Sequence, residues 1–81
     1  MKTPAWVVKD VVPQTDYTLA ITFADGSKRL YNARPLLDKA IFAELKSLPF
    51  FLHAHVDGDT VVWSEDIDIA PEHLYECSMP L

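Results

Sequence analysis

The chain has 81 residues, 49% of them apolar, with a net charge of −5 and a single cysteine. This length allows one small domain, residues 1–81, and the apolar content excludes a disordered chain. One cysteine excludes an intramolecular disulfide and the usual cysteine-based zinc sites, so we expect a reducing, cytoplasmic setting.

The N-terminal segment begins the predicted secondary structure. Lys9 and Asp10 interrupt its valines, so it contains no uninterrupted apolar stretch, and we expect neither a secretory signal nor a membrane span. Residues 6–12 (WVVKDVV) are rich in β-branched side chains and predict a first strand. Pro13 ends that strand, because proline has no N–H to donate to a neighbouring strand.

Residues 17–23 (YTLAITF) alternate between larger apolar side chains and Thr or Ala, which predicts a second strand with one buried face. Asp25-Gly26 supplies the turn of a tight hairpin, and residues 28–33 return as a third strand. The three strands form an antiparallel meander.

Pro35 stands where a helix can begin. Six apolar positions after it predict one amphipathic helix, with a break near Lys39 and Ala40 left open: Leu36, Leu37, Ile41, Phe42, Leu45 and Leu48.

A second hairpin follows around residues 57–59 (DGD), then a strand in which Ile67 and Ile69 alternate, and Pro71 begins a short C-terminal helical turn. The predicted fold class is α+β: a small antiparallel β-sheet, made of the meander and the second hairpin, with one main helix packed on one face.

The charge is divided unevenly along the chain. Residues 1–49 hold all seven Lys and Arg and five acids, for +2, whereas residues 50–81 hold seven acids and no Lys or Arg, for −7. This opposes direct binding to nucleic acid and favours a basic protein partner. The predicted partner-binding residues are Asp59, Trp63, Glu65, Asp66, Asp68 and Glu72. A core position is the default for Trp63, which would be an interface anchor only if its ring were exposed beside the acids. The alternative is that the acids only keep a small domain soluble.

A cluster of metal-ligand side chains, His53, His55 and Asp57, suggests a second function. In an extended strand these residues share one face, and His-x-His is a metal-ligand spacing. A metal-binding protein or a small metal-dependent enzyme is therefore the alternative prediction. Against it, the intervening Ala54 and Val56 are apolar, which indicates an ordinary hairpin with its polar side towards water.

The sequence contains no motif for catalysis. Ser64, Ser78 and Cys77 have no evident His or Asp partner, and two glycines, Gly26 and Gly58, do not make a phosphate-binding loop. We predict no catalytic residues and no cofactor, and we do not expect an enzyme.

Several motifs together resemble a family of small bacterial domains of unknown function. They are the FADG hairpin (residues 23–26), the Leu48-Pro49-Phe50 corner, and Trp63 followed by DIDIAPEHLYE (residues 66–76). The resemblance covers most of the chain and implies a compact α+β fold without known catalytic residues.

Some relatives in that family carry a C-terminal helix-turn-helix domain. Residues 1–81 do not include one, so DNA binding is not carried over.

Other relatives are encoded beside a second small protein, which implies a toxin–antitoxin-like pair or an adaptor. We therefore predict a non-enzymatic protein-interaction or regulatory module with a basic protein partner encoded nearby. Self-association into a homodimer through the first or the last strand is a further prediction.

Overall fold

The computed structural model describes residues 4–80. Seven strands run along this part of the chain: β1 (Val8–Pro13), β2 (Thr18–Phe23), β3 (Lys28–Asn32), β4 (His55–Asp57), β5 (Thr60–Ser64), β6 (Ile67–Asp68) and β7 (Met79–Pro80). Between β3 and β4 lie two 3-10 helices (Arg34–Asp38 and Ala40–Lys46) and helix α1 (Leu48–Phe51). Helix α2 (Pro71–Cys77) precedes the last strand.

The strands form two antiparallel sheets. The first sheet has the order β1-β2-β3-β7, and the second sheet has the order β4-β5-β6. The predicted α+β class, the meander and the second hairpin are therefore confirmed. Two features lie beyond the prediction: β7 pairs with β3, and the second hairpin adds β6 to become a separate sheet.

Two hairpin turns use glycine at positive φ. Gly26 has a φ of +85° between β2 and β3, and Gly58 has a φ of +65° between β4 and β5. An L side chain rarely adopts these values, which explains why the sequence has Asp-Gly at both places.

The single amphipathic helix that the sequence predicts is not formed. Residues 34–46 form two 3-10 helices instead, separated at Lys39, whose backbone is extended with φ −95° and ψ 135°. The break near Lys39 is thus confirmed. Buried Phe42 and Leu45 lie three residues apart, a spacing that matches the three residues per turn of a 3-10 helix. Ile41, which the predicted stripe included, is 73% exposed.

Both sheets pack onto one hydrophobic core. The ring of Phe51, which is fully buried, lies 5.0 Å from the ring of Tyr17 and 6.1 Å from that of Trp63. Tyr17 precedes β2 of the first sheet, and Trp63 belongs to β5 of the second. A backbone hydrogen bond of 3.0 Å, from Val8 N–H to the Asp59 carbonyl, also joins the two sheets.

The longest helices within residues 4–80 have seven residues. About 20 apolar residues are needed to cross a bilayer, and no helix in this part of the chain could span a membrane.

Candidate functional site

The second sheet has a buried face and an outward face. On β5, Val61 and Trp63 are buried, whereas Thr60, Val62 and Ser64 are half-buried. Val62 pairs with His55 of β4 on one side and with Asp68 of β6 on the other. Because paired residues point to the same side of a sheet, His55, Val62 and Asp68 form one row across the outward face.

The predicted partner-binding acids surround this row. Asp59 lies in the turn between β4 and β5, and Glu65 and Asp66 lie in the turn between β5 and β6. Asp68 is on the edge strand β6, and all four side chains are exposed. We call the outward side of the second sheet, with these four acids, Asp57 and Val62, the acidic face.

Glu72 occupies the first turn of α2 and is exposed. A carboxylate in the first turn of a helix is stabilised by the helix dipole. This position therefore has a structural explanation of its own, independent of any partner.

Trp63, the remaining predicted partner-binding residue, is a core residue. Its side chain is only 4% exposed, and its Nε1–H donates a 3.0 Å hydrogen bond to the Phe51 carbonyl. The ring is therefore not available to a partner. The apolar side chain on this surface is instead Val62.

The three predicted metal ligands do not converge. His53 lies in the turn after α1, before β4, and its ring stacks on Phe50 at a centroid distance of 6.5 Å. His55 Nδ1 is 2.9 Å from the His53 carbonyl oxygen, a hydrogen bond that occupies this nitrogen. Within residues 4–80, no three His, Cys, Asp or Glu side chains are grouped closely enough to hold a metal ion.

A cleft that the sequence analysis did not identify lies between β3, the first 3-10 helix and α2. One cavity of about 340 Å³ is lined by residues that include Tyr31, Asn32, Lys39, His73 and Cys77. A second cavity, of about 230 Å³, shares Lys39 and His73 with the first. His73 therefore lines both cavities, which together we call the groove.

A hydrogen-bonded chain of side chains lines this groove. The Tyr31 hydroxyl and His73 Nε2 are 2.9 Å apart, and His73 Nδ1 lies 3.6 Å from the Cys77 sulfur. Burial raises the pKa of Tyr31 to about 12, so its hydroxyl stays protonated and can donate to the imidazole. These hydrogen bonds orient the His73 ring. Of the three side chains, two are common metal ligands, His73 and Cys77, and the arrangement by itself indicates no particular reaction.

One sequence signal could have found the His73 and Cys77 pair. Residues 73 and 77 are four apart, a spacing that places two side chains on one face of a helix. Tyr31 could not have been added, because it comes from β3, and only the packing of α2 against β3 brings the three together.

The chain matches the model of a known protein family. The model of a family described as a protein of unknown function matches residues 8–79 of the chain. No curated protein and no solved structure matches it.

Proposed function

The chain belongs to the DUF2442 family, whose description names no activity, and we propose that it is a non-enzymatic module that binds a basic protein through the acidic face. Its partner in this proposal is a small basic protein encoded nearby, and the two act in the cytoplasm as a toxin–antitoxin-like or adaptor pair. In this proposal the protein does not bind nucleic acid directly.

The composition of the acidic face is the observation that carries this proposal. The face has Val62 at its centre and exposed acids at both ends and on its open edge strand. Residues 50–81 contain no Lys or Arg that could neutralise these acids. An apolar centre with a charged rim is typical of protein interfaces, and one sign of charge accelerates association with a partner of the opposite sign.

Charge reversal tests the proposal directly. We would compare the wild-type protein with the double variant Glu65→Lys/Asp68→Lys as baits in affinity purification from the native cell, at low and at moderate salt. We expect the wild type to retain a stoichiometric basic protein at low salt and to lose part of it at moderate salt. The double variant should lose that protein under both conditions.

The matched control is Asp38→Lys/Glu44→Lys, which reverses two exposed acids outside the acidic face. Both double variants change the net charge from −5 to −1, so they differ only in where the charge is placed. The control should retain the partner. Equal retention by both double variants, or the absence of a stoichiometric partner at either salt concentration, would contradict the proposal.

A further inference from the structure

The first sheet has an outer face that carries a row of apolar side chains. Its inner face contributes Val11, Ile21 and Tyr31, among others, to the core. On the other side, Val12 pairs with Ala20, Ala20 with Leu30, and Leu30 with Met79. These four residues, Val12, Ala20, Leu30 and Met79, therefore form one row across all four strands, which we call the outer row.

The two ends of the outer row are unusually exposed for apolar side chains. Val12 is 53% exposed and Met79 is 72% exposed. A lone exposed apolar residue needs no explanation, but here the two exposed side chains are joined across the sheet by the partly exposed Ala20 and Leu30.

A second row, next to the outer row, carries opposite charges at its two ends. Asp10 pairs with Thr22, and Thr22 with Lys28, so the acid lies on β1 and the base on β3. Between the two rows the surface has a depression of about 190 Å³, lined by residues that include Val12, Ala20 and Lys28.

We propose that this outer face binds a second copy of the chain, face to face, about a two-fold axis that runs parallel to the strands between β2 and β3. This operation exchanges β1 with β7 and β2 with β3, and so exchanges the two sides of the outer row. Leu30 of one protomer then lies over Ala20 of the other, and Val12 lies over Met79.

The same axis places Lys28 of one protomer over Thr22 of its partner, one strand spacing of about 4.8 Å to the side of the partner's Asp10 and within reach of the long lysine side chain. An acid and a base on opposite sides of the axis make the face complementary to itself, which a two-fold interface requires. This complementarity, together with a large side chain facing a small one, identifies a second copy as the occupant. The two sheets would pack about 10 Å apart, as aligned sheets do.

The strand edges of the first sheet are less suited to self-association than its face. β7 has only two residues, and β1 has an irregularity at Lys9 and ends at Pro13. Short edge strands, bulges, lysine and proline are the features by which proteins prevent edge pairing. For the first sheet we therefore place self-association on the sheet face rather than on the β1 or β7 edge.

The size of the face sets the expected strength of the dimer. Four strands spaced about 4.8 Å apart make a surface only about 19 Å wide. With strands of five or six residues at about 3.3 Å per residue, the face has an area of roughly 350 Å². This is less than half of the surface of about 800 Å² per partner in a standard interface, so we expect a weak, transient dimer.

Sedimentation equilibrium over a series of protein concentrations tests the proposal. The wild type should show a monomer–dimer equilibrium, and Leu30→Asp should abolish the dimer. Met79→Asp, at a more exposed position, should do the same and covers the case in which Leu30→Asp does not fold. Ile41→Asp is the control, because Ile41 is 73% exposed but lies in the second 3-10 helix, and it should leave the dimer unchanged.

A charge exchange distinguishes a two-fold face from other modes of association. Asp10→Lys and Lys28→Asp should each weaken the dimer about tenfold or more at low salt, whereas the double variant should restore it. A monomer at every concentration, a dimer that survives Leu30→Asp or Met79→Asp in folded protein, or a double variant weaker than both single ones would overturn the proposal.

Discussion

Asp25 shows how one side chain connects distant parts of the molecule. Its carboxylate accepts hydrogen bonds from the Ser27 amide at 2.8 Å, the Ser27 hydroxyl at 2.6 Å and the Tyr75 hydroxyl at 3.0 Å. The Arg29 guanidinium lies 4.1 Å from the centre of the Tyr75 ring. The Ser27 hydrogen bonds hold the pKa of Asp25 below its ordinary value of 3.8, with smaller contributions from Tyr75 and Arg29.

Stability at low pH should depend on Asp25. Because its pKa is lowered in the folded state, the ionised carboxylate contributes stability above pH 3.8, and this is lost as the pH falls through the folded pKa. We expect Asp25→Asn to lower the free energy of unfolding at neutral pH and to make its decline below pH 3.8 shallower than in the wild type.

Urea unfolding of both proteins across this pH range measures the effect. Asparagine suits the same turn, so the comparison isolates the charge. Parallel pH profiles for the two proteins would show that the Asp25 charge does not contribute.

The elements of this protein differ in how firmly hydrogen bonds hold them. β2 is paired on both sides, by β1 and β3. Residues 34–46 form 3-10 helices, in which hydrogen-bond geometry is poorer than in an α-helix, and the extended Lys39 interrupts them. This segment also forms one wall of the groove at His73.

Hydrogen exchange should therefore divide the chain by element. We expect the amide of Phe42, bonded to the Lys39 carbonyl, to exchange through local opening of lower free energy than the amide of Ile21 in β2. Native-state exchange followed by NMR measures both in one experiment. Equal protection of the two amides would mean that the 3-10 segment opens only when the whole protein unfolds.

At the scale of the whole molecule, the two sheets share one core through Phe51. The acidic face belongs to the second sheet, and the outer face belongs to the first. The two proposed surfaces are therefore on different sheets. Dimerisation through the outer face would leave the acidic face of each protomer free to bind a basic partner.

The shared core predicts a single unfolding transition. Phe51→Leu should lower the free energy of unfolding by about 1 to 3 kcal/mol, because its ring contacts Tyr17 and Trp63. In this variant the native NMR signals of Ile21 in the first sheet and Val61 in the second should disappear with the same urea midpoint, which should be lower than that of the wild type. Ile41→Ala, at an exposed position, should change the free energy by less than about 0.5 kcal/mol.

Separate urea midpoints for Ile21 and Val61 would contradict this prediction. They would show that each sheet can unfold while the other stays folded.

The sequence by itself determined the α+β class, the meander and both glycine turns. These features depend on local properties: the alternation of side chains with a period of two, and the positive φ that Gly26 and Gly58 adopt. It also left open a break near Lys39 and Ala40 in the predicted helix, and the backbone is extended at Lys39.

Only the tertiary structure decided which side chains are accessible and which come together. The sequence left an exposed place beside the acids open for Trp63, and packing against Phe51 decided for the core. The groove at His73 and the outer row each combine residues far apart in the sequence, including Tyr31 with Cys77 and Val12 with Met79. Such proximity depends on strand order and on the packing of α2, which no local pattern in the sequence contains.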